Sequence, residues 1–355
     1  MKNKIDITKR PYKYIAFSHQ TTSIIIFCAL SLQILLLFLT KSWNSIFIIV
    51  AAIFANVIVE ILTTFKKKIT FYGILISVLQ GILTGFFLPS TFPIVQVFLI
   101  SFCTVFICRF FLGKFGDCYV NVASLTVCMC FVLGSRYFPE FLLNHDILIS
   151  KNPSLQLIES GAFNLSSLDT RITSFLNRNI FSLFSFSIPD GYISLLWDTS
   201  SVVPAFRFNL LTLISSIILI SIDVIKPLVP SIFSFIYSVL IFCFSFIFYE
   251  GVPFQSDLLL AFLTSGFLFL TFFVLQGEGT LPRSIAGKII YALFAGILAF
   301  LIIGPGTSPC GAVFVVLAMN IISPLIQTAE LKYEMHKVKS SLLPLAQELK
   351  DGKNA

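Results

Sequence analysis

The sequence contains few charged residues. Asp, Glu, Lys and Arg make up 12% of its 355 residues, against about 25% in ordinary soluble domains, whereas 57% are apolar and 41 are Phe. The mean hydropathy of +0.94 is higher than a water-exposed surface permits. This composition excludes a soluble enzyme, a disordered chain and a small secreted disulfide scaffold, and it predicts an integral membrane protein.

The residues that most often carry enzymatic chemistry are also scarce. Only three His occur, and no catalytic triad, phosphate-binding Walker loop or His cluster is present. The eight Cys lie mostly inside apolar runs, where a free Cys packs as a small hydrophobe. The close pair Cys128 and Cys130 has no further Cys or His at the spacing of a metal site. The sequence therefore predicts neither a catalytic residue nor a bound metal.

What the sequence does contain is a series of long apolar runs. A helix needs about 20 mostly apolar residues to cross a bilayer. Two uncharged runs are longer than one membrane-spanning helix. Pro89 and Pro93 divide the first run, and Gly304-Pro305-Gly306 divides the second. We therefore predict an all-α polytopic membrane protein with about ten transmembrane helices. The predicted spans are 21–40, 44–65, two within 69–108, 118–136, 207–227, 229–249, 258–276 and two within 289–329.

These spans predict a five-plus-five arrangement around one large external loop. The predicted parts are a cytoplasmic N-terminal segment (1–20), a first membrane half (21–138), the external loop (139–206), a second membrane half (207–327) and a cytoplasmic tail (328–355). An odd number of helices in each half makes any internal repeat an inverted one. The segments Leu83–Leu88 and Leu263–Leu268, at corresponding places in the two halves, are faintly alike.

Basic residues indicate the orientation. Most of the 24 Lys and Arg fall on one side of the predicted membrane, in segments such as Lys66–Lys68 and the tail after Gln327. Cytoplasmic loops retain positive charge, so both termini are predicted to be cytoplasmic and the chain to lie in the inner (cytoplasmic) membrane of the cell. The net charge of +7 reflects these loops, and no nucleic-acid partner is expected. Glu60, inside a span, is expected to extend toward Lys66–Lys68.

A glycine-rich turn precedes the fifth span. Gly113, Gly116, Asp117 and Asn121 stand before a helix predicted to begin near Cys118. Free N–H groups at a helix N-terminus beside glycines suit an anion such as a phosphate or the edge of a flavin. The alternative is an ordinary turn in which Asp117 caps the helix.

Two other irregular segments are candidates for function. The loop 139–206 is polar with little helical periodicity, and a structureless loop of this length is usually functional. Its hydroxyl-rich stretches are also typical of ordinary turns. The segment Gln276–Pro282 places two glycines around a carboxylate, which suits a cation, another subunit or a sharp turn.

Five segments of the sequence, taken in order, carry a resemblance to a known family. They are Gly81–Pro89, Phe111–Ala123, Ile188–Ser200, Phe272–Pro282 and Met319–Ile326. In this order they resemble segments of the NqrB/RnfD family, the membrane subunits of the sodium-translocating NADH:quinone oxidoreductase and of the Rnf electron-transport complex. The resemblance covers residues 10 to 327, nearly the whole membrane region.

The resemblance implies FMN on the external loop. In the family, FMN is attached through a phosphoester to the Thr of a D-x-x-S-G-A-T motif. The counterpart here starts at Asn164, with Ser167 and Thr170 at the matching positions. Leu168 and Asp169 replace the small Gly-Ala pair, and a carboxylate beside Thr170 is expected to repel an incoming phosphate.

The resemblance also implies the other cofactor contacts and the partners. Gly113, Gly116 and Asn121 are the further expected cofactor-binding residues, and riboflavin is a second candidate flavin. The expected function is that of a membrane subunit that passes electrons through a flavin while Na⁺ or H⁺ crosses the bilayer, beside other membrane subunits of an Rnf- or Nqr-like complex. The alternatives are a secondary transporter for a small solute, suggested by the interrupted runs, and a flavin-free structural subunit.

Overall fold

The computed structural model describes most of the chain. The described residues are 17–64, 70–111, 120–140, 145–150, 153–160, 165–247, 253–254, 256–277, 281–306 and 308–351. Within these ranges every regular element is a helix and no strand occurs. The all-α fold class predicted from the sequence is confirmed.

Five helices form the first membrane half. They are α1 (His19–Leu39), α2 (Trp43–Thr64), α3 (Phe71–Phe87), α4 (Ile94–Phe111) and α5 (Val122–Gly134), which continues as a 3₁₀ turn over Ser135–Tyr137. Pro89 and Pro93 lie between α3 and α4, so the first long uncharged run is divided into two helices as the sequence predicts.

Four short helices follow in the segment 139–206. They are α6 (His145–Ile149), α7 (Pro153–Glu159), α8 (Ser167–Asn179) and α9 (Tyr192–Trp197). The expectation of a structureless loop is therefore wrong for the described part of this segment. Side-chain caps help to form these helices; for example, Ser166 Oγ accepts a hydrogen bond from the Leu168 N–H. Hydropathy periodicity does not detect such caps, so it did not predict the helices.

The second membrane half contains one interrupted helix. Its elements are α10 (Asn209–Ser221), α11 (Leu228–Phe244), α12 (Leu258–Thr264), α13 (Phe267–Phe269), which runs on as a π-helical segment over Leu270–Val274, α14 (Ile285–Ile303) and α15 (Gly311–Asp351). The break between α12 and α13 falls at Ser265–Gly266, where Gly266 has a φ of +67°.

The helices account for each predicted crossing. Six apolar helices are long enough to span a bilayer, and α3, α5 with its 3₁₀ turn, and α10 are shorter apolar helices. The interrupted pair α12–α13 occupies the remaining predicted span, residues 258–276. The protein is thus a multi-pass membrane protein, and its helices follow the hydropathy of the sequence.

The two ends of this bundle differ. One end, called the loop end, carries α8 and α9 and is tied to the turn after α3 by a hydrogen bond from the Ser90 N–H to the Val202 carbonyl (3.0 Å). The other, called the opposite end, holds the last turns of α2 and α4 and the first turns of α3 and α5.

Candidate functional site

Neighbouring side chains at the start of α8 point in different directions. Asp169 is fully buried. Its carboxylate accepts hydrogen bonds from the Gly191 N–H (3.0 Å), the Ser194 N–H (2.6 Å) and the Thr173 hydroxyl (3.0 Å). Asp169 therefore caps the N-terminus of α9 from a distant position in the sequence, and three donors stabilise its charge.

Thr170, by contrast, is exposed. Among the described residues its hydroxyl donates to the Ser167 carbonyl, at 3.4 Å, within the first turns of α8. Because the Asp169 carboxylate is directed into the protein, the expected repulsion between it and a phosphate on Thr170 is not supported by the geometry. The N-terminal turn of a helix also favours a negative charge, so the hydroxyl, the backbone and the electrostatics fit a phosphoester at Thr170.

The extended chain before α9 is fastened to α8. Asn177 donates from Nδ2 to the Ile188 carbonyl and accepts from the Ile188 N–H, both at 2.8 Å. The Ser166 N–H donates to Ser194 Oγ at 2.9 Å. These bonds hold α8 and α9 as one unit, so Thr170 occupies a fixed place on it.

Polar contacts anchor this unit to the membrane helices. Arg207 forms a two-pronged ion pair with Asp198, at 2.7 and 2.9 Å, and donates to Ser42 in the turn between α1 and α2. Tyr192 donates to Asp257, the N-cap residue of α12. Burial raises the pKa of Asp257, and the hydrogen bond from Tyr192 opposes that shift.

A cavity at the opposite end lies between the two membrane halves. Its volume is about 170 Å³, and apolar side chains such as Leu79 and Phe273 form much of its wall. Three side-chain amides also line it: Gln80, Asn121 and Gln276. Gln276 Nε2 is buried without a hydrogen-bond partner among the described residues. We call this the amide cavity; a ligand with a flat apolar body and a polar edge fits its lining.

Asn121 is the predicted site residue that lines this cavity. It is also the N-cap of α5, because its Oδ1 accepts from the Ser124 N–H at 3.1 Å. The helix therefore begins at Val122 rather than near Cys118. Gly113, Gly116 and Asp117, named with Asn121 in the sequence, lie outside the described residues.

The predicted site residues thus fall into two separate groups. Ser167 and Thr170 are on α8 at the loop end, and Asn121 is at the opposite end. Sequence reasoning missed Gln80 as a lining residue and named Gln276 only as the first residue of a candidate turn. The available signal for Gln80 was an amide inside an otherwise apolar run. Among the described residues, no group of three or more His, Cys, Asp or Glu could hold a metal ion.

Glu60 has a partner that the sequence did not indicate. Its carboxylate lies 2.6 Å from Arg109 of α4, with each side chain only 10% exposed. The hydroxyls of Thr64 and Ser77 lie 3.3 and 3.5 Å from the same carboxylate. This buried pair joins α2, α3 and α4. Lys66–Lys68, toward which the sequence predicts that Glu60 extends, lie outside the described residues. The attraction between the carboxylate and the guanidinium offsets part of the cost of withdrawing each charge from water.

With this geometry in place, the comparison with known proteins identifies the family. The model of the NQR2, RnfD, RnfE family matches residues 6–335. The chain belongs to the NQR2, RnfD, RnfE family. The resemblance inferred from the ordered segments is confirmed.

A more specific relative is the D-type subunit of the ion-translocating oxidoreductase complex of Buchnera aphidicola subsp. Baizongia pistaciae (strain Bp). It is 24% identical over 343 residues, which cover 87% of this chain and 93% of the relative. In this NQR2, RnfD, RnfE family member, the family model covers both α8 and the residues of the amide cavity.

Proposed function

We propose that this protein is the membrane subunit of an ion-translocating oxidoreductase complex, and that it carries flavin and works beside other membrane subunits. The family match and the name of the Buchnera relative support a role in such a complex. The complex couples electron transfer to movement of Na⁺ or H⁺ across the inner membrane.

The observation that carries the flavin role is the amide cavity. Gln276 Nε2, buried without a partner among the described residues, is a hydrogen-bond donor available for a ligand acceptor. Gln80 and Asn121 would bind the polar edge of a riboflavin-type isoalloxazine, and the apolar wall near Phe273 would hold its flat body. A bound flavin supplies one- and two-electron transfer, and the protein contributes its position and surroundings.

A second flavin, FMN, is proposed on Thr170. Its support is the exposed hydroxyl at the start of α8 and the inward direction of the Asp169 carboxylate. The first turn of α8 would hold the phosphate beside the positive end of the helix. Ser167 contributes its carbonyl, which positions the Thr170 hydroxyl.

Flavin analysis of the protein, purified with its accompanying subunits, tests both sites. Acid precipitation releases a noncovalent flavin and leaves a phosphoester-linked one on the chain. Gln276→Leu is expected to lower the released fraction, with the exposed Gln96→Leu as the matched control. Thr170→Val is expected to abolish the acid-stable fraction, with the exposed Ser174→Ala as its control. If wild-type protein contains neither fraction, the flavin-free structural subunit is the correct description.

The proposed orientation is tested separately by cysteine labelling of intact cells. We propose that α8 faces away from the cytoplasm and that the end of α15 is cytoplasmic. Cys at position 174 should react with a membrane-impermeant maleimide in intact cells, and Cys at position 340 only after lysis. The reverse pattern would contradict the orientation.

A solute permease is the second candidate function, because α12–α13 is interrupted at Gly266. Broken helices at membrane depth form substrate sites in many secondary transporters. Solute uptake by the subunit alone, reconstituted in liposomes, would favour this function. Flavin content with no uptake would favour the electron-transfer subunit.

A further inference from the structure

One exposed face of α8 carries an apolar stripe. Leu168, Ile172 and Phe175 follow the spacing i, i+4, i+7, which places them on one helix face. They are 59%, 40% and 61% exposed. The turns after α8 add Leu183 and Phe184, which are still more exposed. Such a patch outside the membrane-spanning helices requires a partner surface.

The helical register places four different faces around α8. Asp169, Thr173 and Leu176 face the protein, and each lies one residue after a member of the apolar stripe, about 100° around the helix. Arg171 lies about 100° to the other side of the stripe, together with Arg178. Thr170 is on the side opposite the stripe. The stripe and Thr170 therefore point in opposite directions, and a surface that covers the stripe leaves Thr170 uncovered.

The depth of α8 relative to the membrane follows from a neighbouring groove. This groove of about 430 Å³ lies between Thr173 and Leu176 on one side and Leu213, Leu259 and Phe262 on the other. Those three residues belong to the loop-end turns of α10 and α12. The same turns expose other apolar side chains outward, so α8 packs beside the loop-end turns of apolar helices, as an interfacial helix would.

Charge complementarity identifies the partner. Neither Arg171 nor Arg178 has an ion pair or a side-chain hydrogen bond among the described residues, and both are exposed. Two arginines beside an apolar stripe match the phosphates above an acyl layer, and Trp197, 63% exposed on the neighbouring α9, is typical of a membrane interface.

We propose that α8 is an interfacial helix that lies in the leaflet on the loop side of the bilayer. The apolar stripe enters the acyl region, Arg171 and Arg178 bind phospholipid phosphates, and Thr170 faces water. The bilayer would then hold in place the helix that carries Thr170, the proposed FMN attachment residue. The lipid contact itself does not depend on whether flavin is bound.

A fluorescence-quenching experiment on the complete protein tests this placement. Phe175→Cys and, as the matched control, Ser174→Cys are labelled with an environment-sensitive dye after Cys28, Cys103 and Cys118 are replaced by Ala. The parent without an introduced Cys measures residual labelling. The protein, with its accompanying subunits, is reconstituted in phosphatidylcholine with brominated acyl chains.

The dye at position 175 is expected to lose most of its emission to brominated lipid and little to aqueous iodide, and the dye at 174 to show the reverse. Leu168→Cys provides a second site on the stripe. Iodide quenching at 168 and 175 would overturn the proposal. Protection of both from both quenchers would also overturn it, because a protein partner would then cover the stripe.

The arginine contribution is measured by diluting brominated phosphatidylglycerol into unbrominated phosphatidylcholine. Quenching at position 175 reports how far the anionic lipid is enriched there over its share of the bilayer. This enrichment is expected to fall about fivefold for each arginine that is replaced, first in Arg171→Gln and then in the double variant Arg171→Gln/Arg178→Gln. The control Lys337→Gln/Lys339→Gln should leave it unchanged. Unaltered enrichment in the arginine variant would overturn the phosphate contact.

Discussion

The third crossing of each membrane half is built differently. In the first half, α3 is continuous, and a Cβ on Gly81 or Gly85 would lie 2.5 or 2.6 Å from the Cα of Ile53 or Ile49. In the second half, the corresponding α12–α13 breaks at Gly266, where the Phe206 ring occupies the space that a side chain would need.

The two halves therefore rely on different interactions. Close approach of α3 to α2 and the Glu60–Arg109 pair stabilise the first half. In the second, Phe267 stacks between Phe233 and Tyr237, with ring centroids 4.7 and 4.3 Å apart. The continuous crossing thus packs by close approach of backbones, and the interrupted crossing packs through aromatic side chains.

The largest effect is expected when the ion pair of the first half is broken. Arg109→Gln leaves Glu60 buried without its cation, and we expect a loss of about 3–5 kcal/mol of stability. Thermal unfolding in detergent measures the loss, and the exposed Arg283→Gln is the control. The double variant Glu60→Gln/Arg109→Gln should recover much of the loss. A single variant as stable as the control would show that the pair does not hold α2 to α4.

In the second half, Gly266→Ala is expected to cost about 2–4 kcal/mol, because the new Cβ meets Phe206 and the left-handed backbone disfavours any residue other than Gly. The cost is measured by thermal unfolding in detergent. In a Phe206→Leu background the same substitution should cost less, because only the backbone strain remains. An equal cost in both backgrounds would show that the Phe206 ring does not restrict this position.

A smaller effect separates the two modes of helix packing. Gly85→Ala presses on the backbone of Ile49 and should cost about 1–3 kcal/mol. Gly296→Ala in the second half meets Cβ and Cγ2 of Ile236 at 2.8 Å and the Phe233 carbonyl at 3.3 Å, distances longer than the 2.6 Å to the Ile49 Cα, so its cost should be lower. Equal melting temperatures for the two variants would argue against this distinction.

The smallest effect concerns the contact between α9 and the second half. Burial raises the folded-state pKa of Asp257 above its unfolded value, so the folded protein loses stability as pH rises through the interval between the two values. The Asp257→Asn variant lacks this titration. As pH rises, the melting temperature of the wild type should therefore fall relative to that of the variant. A difference between the two that stays constant with pH would contradict the expectation.

Hydropathy was sufficient to predict the crossings but not the pairings between them. The apolar runs located every membrane helix, since a span is a property of one continuous segment. The partner of Glu60 could not be read in this way, because Arg109 is on another helix at the same depth. A comparison of the depths of charged residues across spans would have suggested it.

Thr170 was proposed from its motif and stays a prediction. The direction of the Asp169 side chain could not be predicted, because it required a helix that the composition of the loop did not indicate. Consecutive residues on a helix point about 100° apart, so adjacency in sequence says little about adjacency of side chains. Gln276 became significant only when α13 brought it to the same cavity as Asn121.

The Glu60–Arg109 pair also has a consequence for how the chain is made. Glu60 leaves the ribosome before its partner has been synthesised, and an unpaired acidic residue is costly in a bilayer. We expect α2 to remain next to the insertion machinery until α4 emerges and supplies Arg109. Membrane integration of the first half would then proceed as a single late event involving α2, α3 and α4, rather than helix by helix.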